Sequence, residues 1–491
     1  IPRSLRICFV ALILVIGFGN HWSKGVTGAM KKRLKKELDI NNAQFSVLTA
    51  SQDFIVTVLV VPSGLITDRI GGTYALLILN ATYTLGLVLS ALALTPSLPL
   101  SLHPYPVLLT GLLLTSLGST ATQVAQYKLF SGLFPSGSGS TTSGSGFAAS
   151  VGLELLVGTA GAFVGQATAN VIAEATGGGV ESVFWVAVGG GVVANAGTVA
   201  LWWGGRWWRR KHGEGGKGGQ GGEGVAGSEQ SERDMEERTS KFDVRTLLEL
   251  PWHFWCIVLF AILDTATVLV FSQNATELAQ DRWGVSSVAA GWWAAASKDA
   301  GFVFTPLLGW FLDRYGNRLT VLTVCGITLV ASMALINWPG TSGSLTASFV
   351  LFAAAHPLGF TGLIDSVRAS MRKPEVFAVA YSVKFMADNA LMIILRIVTG
   401  TIQDADGGAY RRVIVVYLAL AAGCLAVALG MQLAAPFSID LRSLQWTREQ
   451  RKMDVGTPRL RKETPFLSLI GFVALIALML GSWGAYFWGI A

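Results

Sequence analysis

A short charged motif that occurs twice between long apolar segments constrains the fold of this chain more than any other feature. Both copies have the spacing Gly-x-x-x-Asp-Arg-x-Gly, and each joins the end of one apolar segment to the start of the next. The residues are Gly64, Asp68, Arg69 and Gly71 in the first copy and Gly309, Asp313, Arg314 and Gly316 in the second. A charged loop repeated once per half predicts two related bundles of membrane helices, an architecture found in many secondary transporters.

The composition also indicates a membrane protein. The chain has 491 residues, of which 52% are hydrophobic and 14% charged, whereas a soluble domain has roughly 25% charged residues. The apolar residues fall in runs of about 20, long enough to cross a bilayer as helices, in which every backbone polar group is paired locally. The net charge of +7 comes from loops that flank these runs. It therefore fits a membrane surface, and we expect no nucleic-acid partner.

The apolar runs predict an all-α integral membrane bundle of twelve spans, six in each half, with a thirteenth candidate span near the end. The predicted spans are 5–22, 44–66, 73–94, 106–130, 147–172 and 182–204, then 252–272, 288–312, 319–338, 345–366, 377–402 and 411–434. The corresponding units are an N-terminal half (1–204), a disordered cytosolic linker (205–250), a C-terminal half (251–434), a basic polar tail (435–465) and the candidate extra span (466–490). Because the chain begins Ile1-Pro2-Arg3, we expect the natural N-terminus to lie upstream.

Loop charges predict the orientation in the membrane. With a cytosolic N-terminus, most Lys and Arg residues, both Asp-Arg motifs and the linker lie on the cytosolic side, as the positive-inside rule requires. The basic segment 31–36 is a large exception, because it falls on the opposite side. Asn274 begins an Asn-Ala-Thr sequon in the predicted non-cytosolic loop after span seven, and it is the glycosylation candidate.

The repeated motif resembles the signature loop of the major facilitator superfamily, which lies between spans two and three and again between spans eight and nine. The resemblance implies that both copies, with Arg318, form a conformational latch between the halves. Gly64 and Gly309 would let helices approach closely. The first copy continues as Gly72-Thr73-Tyr74 where the family usually has basic residues, which predicts a weaker latch on that half. Alternatively, these residues only hold the loop and never touch substrate.

Charged and polar residues inside the predicted spans are the candidates for a substrate or proton cavity. An ionised side chain at the middle of a bilayer costs about 2.5–3.5 kcal/mol on insertion scales, so it normally faces a partner or water. The candidates are Asp53, Gln123, Gln126, Glu154, Asp264, Lys298, Asp299, His356, Lys384, Asp388 and Arg396. Lys384 and Asp388 are four residues apart and can pair on one helix face, so a structural ion pair is the alternative interpretation. Gly158, Gly161 and Gly165 in span five fit close helix packing.

Several stretches resemble the branch of the superfamily that includes lysosomal dipeptide transporters, among them 38–45, Phe254-Trp255 and segments between His356 and Asp404. This resemblance implies a small polar solute, with a dipeptide or amino acid as the leading guess. It favours a lysosomal or vacuolar membrane over the plasma membrane, and an accessory membrane subunit is a further candidate partner. Span five carries Glu154 but no arginine. Either the substrate therefore differs from that of the branch, or Lys384 and Arg396 supply the positive charge for its carboxylate from the other half.

The sequence contains no pattern that points to an enzyme. No nucleophile–base, zinc or phosphate-loop arrangement occurs in a credible context, and the four cysteines lie far apart in apolar segments. We therefore expect no catalytic residues, no cofactor and no metal, with the lipid bilayer and a small-molecule substrate as partners. The alternative function is a non-transporting membrane sensor or scaffold on the same fold, which would signal through the linker and the basic tail.

Overall fold

The computed structural model describes most of the chain and is helical wherever it has regular secondary structure. The described residues are 3–70, 72–96, 104–133, 145–177, 179–213, 250–338, 342–371, 377–447, 450 and 465–490. No strand occurs within these ranges. The predicted linker therefore lies almost entirely outside the described residues.

The N-terminal half contains six long helices and one short one. These are α1 (Arg3–Ala29), α2 (Lys31–Leu38), α3 (Asn42–Ile70), α4 (Gly72–Leu94), α5 (Pro104–Leu133), α6 (Ser145–Ala175) and α7 (Val180–Gly213). The short helix α2 carries the basic segment and connects the first two long helices. The end of the bundle that carries α2 is called the α2 face below.

The C-terminal half and the tail follow in the same manner. Their helices are α8 (Trp252–Trp283), α9 (Ser287–Asp299), α10 (Thr305–Tyr315), α11 (Arg318–Asn337), α12 (Ser342–Ser370), α13 (Phe377–Ala405), α14 (Arg411–Ala434), α15 (Ile439–Leu444) and α16 (Pro465–Ile490). A 3₁₀ segment, Ala300–Phe304, joins α9 to α10.

Ten of these helices are long and apolar enough to cross a membrane, counted over the described residues, and α16 is one of them. The long helices α3 and α5 and the interrupted segment α9–α10 are not among the ten. The all-helical membrane fold is confirmed, whereas the number of twelve spans stays a prediction.

Span eight differs from the prediction of one continuous helix over 288–312. The α-helix ends at Asp299 and resumes only at Thr305, with Pro306 in its first turn. Proline has no N–H to donate, so the α-helical hydrogen-bond pattern is interrupted here. Only glycine fits at position 301 between the two α-helices, because a Cβ there would lie 1.8 Å from the carbonyl oxygen of Ala353 in α12.

Close helix packing within the N-terminal half depends on glycines, as predicted for span five. A Cβ on Gly161 would lie 2.6 Å from the carbonyl oxygen of Phe18, and one on Gly165 would lie 2.1 Å from that of Trp22. Any side chain at these positions would therefore push α6 away from α1. On the other side of the half, Gly86 brings α4 equally close to α5.

The main contacts between the two halves are made by α3 with α13, α6 with α9, and α1 with α8, and α2 also contacts α8. Helix α16 packs against α3 from one half and against α13 and α8 from the other. Its Tyr486 stacks on Phe54 with ring centroids 4.6 Å apart, and the Tyr486 hydroxyl lies 2.8 Å from Ser51 Oγ. The segment predicted as an extra span is therefore a helix that bridges both halves.

A charged cavity between the two halves

A cavity of about 320 Å³ lies between the halves and takes its lining from both. The N-terminal half contributes residues of α1, α3, α5 and α6, and the C-terminal half contributes residues of α8, α9 and α13. Four of the lining side chains are charged, namely Lys24, Asp53, Lys298 and Arg396. Three of these four are among the candidates predicted from the sequence.

Asp53 and Arg396 form an ion pair across the cavity. The Oδ2 atom of Asp53 in α3 lies 2.7 Å from Nε of Arg396 in α13, so the contact joins the two halves. Both side chains are largely buried, and a buried charge of either sign is costly without its partner. In this conformation Arg396 is therefore already engaged and is a poor candidate to bind a substrate carboxylate.

Lys24 and Lys298 face the cavity from opposite halves. Neither ammonium group makes a hydrogen bond, or an ion pair within 4.0 Å, with another residue of the described chain. The side chain of Lys24 is exposed, and because the residue lines the cavity, part of that surface faces the cavity. Sequence reasoning missed Lys24 because it ended span one at residue 22, whereas α1 continues to Ala29.

The interruption of span eight places Lys298 at the cavity. The helical hydrogen-bond pattern changes just after this residue, and its carbonyl oxygen accepts a bond of 2.8 Å from Nδ1 of His356 in α12. A carbonyl oxygen can only accept, so Nδ1 must carry the proton. His356, predicted as a cavity candidate, thus supports the end of α9.

Glu154 lies buried in α6 beside α1. Its Oε1 atom is 3.7 Å from Nε2 of His21, and it is also an electrostatic neighbour of Lys24. Gly158, one turn further along α6, lies against the His21 ring. Glu154 is therefore close to the charged cavity without being one of the residues described as lining it.

The remaining candidates lie away from the cavity lining. Lys384 and Asp388 pair with each other at 2.6 Å in α13. Asp264 is buried between α8, α11 and α12, with Oδ1 3.5 Å from the thiol sulfur of Cys325. Gln126 donates to the carbonyl oxygen of Ile13 at 3.2 Å, which ties α5 to α1.

Asp299 and Gln123 are the last two candidates. Asp299 is buried, and its Oδ2 atom has no hydrogen-bond partner in the described part of the chain. It follows Lys298 directly but does not line the cavity, as expected for neighbouring side chains that point apart. The side chain of Gln123 lies outside the described part of the structure.

Only part of the predicted latch can be examined. The first copy of the motif, Gly64, Asp68, Arg69 and Gly71, lies outside the described side chains, as does Asp313 of the second. Arg314 lies over the rings of Trp310 and Tyr315, 5.9 and 5.8 Å from their centroids. No described atom lies within 4 Å of a Cβ built on Gly309, so close helix approach there is not seen.

The rest of the second copy contacts its own half. Arg318 pairs with Asp365 of α12 and donates to the carbonyl oxygens of Leu444 and Trp446, at 3.2 and 3.1 Å. Gly316 has a φ of +68°, and a Cβ there would lie 2.4 Å from the carbonyl oxygen of Trp446. The beginning of the tail thus packs directly on the second Asp-Arg motif.

A buried polar network, the Lys31 network, joins the halves at the α2 face. The ammonium of Lys31 lies 3.0 Å from Oε2 of Glu277, and it donates to Asn274, Gln403 and Tyr410 of the C-terminal half at 2.7, 2.9 and 3.1 Å. Burial lowers the pKa of Lys31 from its ordinary value, and the neighbouring carboxylate of Glu277 opposes this shift.

Three of the other four basic residues of α2 are paired as well. Lys35 contacts Glu277, Lys32 contacts Asp281, and Arg33 lies 3.1 Å from Glu174. Four of the five basic residues in this segment are thus bound to carboxylates. The positive-inside rule counts Lys and Arg largely irrespective of acidic neighbours, so the segment remains an exception to the predicted orientation.

Asp404 of α13 completes a second contact at this face. Its carboxylate accepts hydrogen bonds from the backbone N–H groups of Asn42 and Ala43, at 2.9 and 2.7 Å, in the first turn of α3. Asn41 and Gln44 bond to each other's backbone N–H through their side chains in the same turn. Residues of both halves therefore hold the start of α3.

Contrary to the prediction from the sequence, Asn274 does not lie in a loop after span seven. The residue lies within α8, which continues to Trp283, and it is buried. Its Oδ1 atom accepts from Lys31, and its Nδ2 atom donates to the hydroxyl of Tyr417 at 2.7 Å. The nitrogen that a glycan would modify is therefore engaged in a hydrogen bond inside the protein in this conformation, and glycosylation of Asn274 stays a prediction.

Comparison with known proteins places this architecture in one family. Three solved structures have the same fold, each at 13% sequence identity. A D-xylose–proton symporter has a TM-score of 0.64, with 87% of this chain and 97% of that chain covered, and a POT family transporter in complex with a thioalcohol-conjugated peptide has a TM-score of 0.60, with 87% and 96% covered. The nucleoside transporter NupG has a TM-score of 0.58, with 90% of this chain and 100% of that chain covered. A comparison with curated proteins gave no significant match. The sequence profile of the Major Facilitator Superfamily matches residues 13–394. The chain belongs to the Major Facilitator Superfamily.

Proposed function

We propose that the chain is an alternating-access secondary transporter that carries a small polar organic solute through the cavity between its halves. The observation that supports this most directly is that both halves line one charged cavity, with Asp53 and Lys24 on one side and Arg396 and Lys298 on the other. A solute bound there contacts both halves at once, as rocking of one bundle against the other requires.

The leading guess for the cargo is a dipeptide or an amino acid, moved by facilitated or proton-linked transport. A cavity of about 320 Å³ is far larger than the roughly 10–15 Å³ that one water molecule needs, so it can admit a small organic solute. The similar structures belong to proteins described as carriers of a pentose or nucleosides, or as holding a peptide conjugate. The fold is thus compatible with several cargo classes, and the cavity residues must select among them.

Orientation and membrane are also part of the proposal. We propose a cytosolic N-terminus and linker, which places the α2 face on the non-cytosolic side. The Lys31 network then holds the transporter closed toward that side. A lysosomal or vacuolar membrane is favoured by the resemblance to the lysosomal branch, with the plasma membrane as the alternative.

Uptake into liposomes tests this function. The purified chain would be assayed with dipeptides, amino acids, sugars and nucleosides, with and without a pH gradient. We expect saturable uptake of one class, and its loss in Asp53→Asn and Arg396→Gln. Arg412→Gln is the matched control, because Arg412 pairs with Asp406 at the exposed start of α14. Absence of saturable uptake for every class would contradict the proposal.

A membrane sensor or scaffold is the second candidate, and the packing of Trp446 on Gly316 is the observation that favours it. That contact connects the tail to a loop that is expected to move between transport states. If this candidate is correct, deletion of 214–249 abolishes function in cells, whereas Asp53→Asn and Lys384→Ala leave it intact. The opposite pattern would support transport.

A further inference from the structure

We propose that the cargo is a small organic oxyanion, with a carboxylate as the first choice, and that its anionic group binds between Lys24 and Lys298. This inference rests on the proposed transport function and names the chemical class of the substrate. It starts from the charges that the cavity leaves without partners.

The charges of the cavity lining do not balance. Among the described lining residues, three side chains are cationic and one is anionic. The one carboxylate of the described lining, Asp53, is bound to Arg396. No lining carboxylate is therefore left to pair with Lys24 or Lys298. Glu154 lies beside His21 and is an electrostatic neighbour of Lys24, but it does not line the cavity. An anionic ligand in the cavity would therefore meet two ammonium groups that no carboxylate of the lining binds.

The two lysines also belong to different halves. Lys24 lies in α1 and Lys298 lies at the end of α9, and they are close enough to repel each other electrostatically. In the empty cavity this repulsion opposes the approach of the halves. An anion between the two ammonium groups replaces repulsion with two attractions, so its binding free energy favours the conformation in which the halves are close.

Both lysines are held on rigid supports. Gly25, next to Lys24, lies against α6 so closely that a Cβ there would be 2.5 Å from the carbonyl oxygen of Ala162. Lys298 lies at the interruption of span eight, where His356 binds its carbonyl oxygen. Discontinuous helices of this kind commonly form the binding sites of transporters.

Neutral polar groups surround the two ammonium groups and can bind the rest of the solute. Gln52, Ser116, Ser119, Gln273 and Asn389 all line the cavity. Because the guanidinium of Arg396 is engaged by Asp53, the ligand meets ammonium groups, which bind carboxylates and phosphates alike as point charges. The experiment must therefore separate these two anions.

The test compares matched acids and neutral derivatives, both for binding to the purified chain, measured as thermal stabilisation, and for uptake into liposomes. The probes are N-acetylalanine and its methyl ester, alanylalanine and its C-terminal amide, and glycerol 3-phosphate with glycerol. We expect the free acids to bind at least tenfold more tightly than the ester and the amide. Stronger binding of glycerol 3-phosphate than of either acid would identify phosphate as the anion and overturn the choice of carboxylate.

Variants assign the effect to the two lysines. Lys24→Gln and Lys298→Gln should each weaken acid binding at least tenfold and reduce the preference for acid over ester. Arg412→Gln, which breaks a pair within one half at the start of α14, is the matched control and should leave both the affinity for the acid and the preference for acid over ester unchanged. The ligand-free melting temperature should stay the same or rise in the cavity variants, because a repulsion is removed. A fall in that melting temperature together with an unchanged preference for acid over ester would show that the two lysines stabilise the fold and do not bind the anion. That result would overturn the inference.

The outcomes also separate this inference from the proposed function. Saturable uptake of a neutral solute with no preference for acids would refute the oxyanion site while supporting transport. Acid binding that needs both lysines, without uptake of any probe, would support the site and count against transport.

Discussion

Glu277→Gln should open the transporter at the α2 face. The carboxylate of Glu277 binds the ammonium of Lys31 at 3.0 Å and also contacts Lys35 and the Tyr410 hydroxyl. Lys31 is only 1% exposed, so the substitution leaves its charge buried without a counter-charge. Removal of one partner from a buried pair costs about 3–5 kcal/mol.

This cost falls on one conformation only. Lys31 belongs to the N-terminal half and Glu277 to the C-terminal half, so both side chains reach water when the halves part at the α2 face. A destabilisation of about 3 kcal/mol therefore shifts the ratio of closed to open molecules by roughly a factor of one hundred, since each 1.4 kcal/mol corresponds to tenfold.

Cysteine labelling measures the shift. Thr49 lines the cavity and is buried, so Thr49→Cys in a background that lacks Cys8 reports access from the α2 face to a membrane-impermeant maleimide. We expect labelling to rise by up to a hundredfold in Glu277→Gln. Arg412→Gln removes a pair that lies within one half and whose arginine is exposed, and Asp406 keeps its hydrogen bond from the backbone N–H of residue 412. This variant should therefore change the labelling rate little.

A double variant makes the reasoning refutable. Lys31→Met together with Glu277→Gln removes both charges, and replacement of a whole buried pair is often nearly neutral. The double variant should therefore recover most of the closed population. If Glu277→Gln labels at the parental rate, or if the double variant is as open as the single one, the Lys31 network does not hold the halves together.

Three further predictions follow from packing and topology. Gly86→Val should lower the free energy of unfolding by about 1–3 kcal/mol through overpacking, because a Cβ there would lie 2.5 Å from the backbone nitrogen of Thr115. Gly190→Val is the control and should not change the melting temperature, because a Cβ at that position meets no described atom within 4 Å. Tyr486→Ala should weaken the packing of α16 on the bundle by about 3–5 kcal/mol, measured as faster proteolysis after residue 464. Tyr486→Phe is the control, because it loses only the hydrogen bond to Ser51 and should be cleaved more slowly than Tyr486→Ala. A protease site placed in 213–230 should be resistant to external protease in intact cells; cleavage there would reverse the proposed orientation.

The fold could be predicted because its signals are local in sequence. Long apolar runs and a motif repeated at the same place in each half are visible without any knowledge of contacts. The close packing of α6 on α1 was also predictable, since Gly161 and Gly165 recur at helical spacing. Span eight was harder, because Gly301 and Pro306 are common in membrane helices and only the position of α12 shows that the helix is interrupted here.

The cavity was only partly predictable because its interactions are long-range. Asp53 and Arg396 were both candidates, but nothing in a single sequence indicates that they pair with each other. The partners of the basic segment, Glu174, Glu277 and Asp281, are likewise remote in the chain. Lys24 was missed for a different reason, since span one was ended at the last strongly apolar residues and the polar continuation of α1 was assigned to a loop.

Helix α3 begins with a cap that it shares with the opposite half of the protein. The first four N–H groups of an α-helix have no acceptor within the helix. Here the N–H groups of Asn41 and Gln44 bond to each other's side chains, whereas those of Asn42 and Ala43 bond to Asp404. Each opening at the α2 face must therefore transfer two amides to water. The exchange rates of these two amide protons with solvent should consequently follow the open fraction, which makes the start of α3 a natural reporter of the transport cycle.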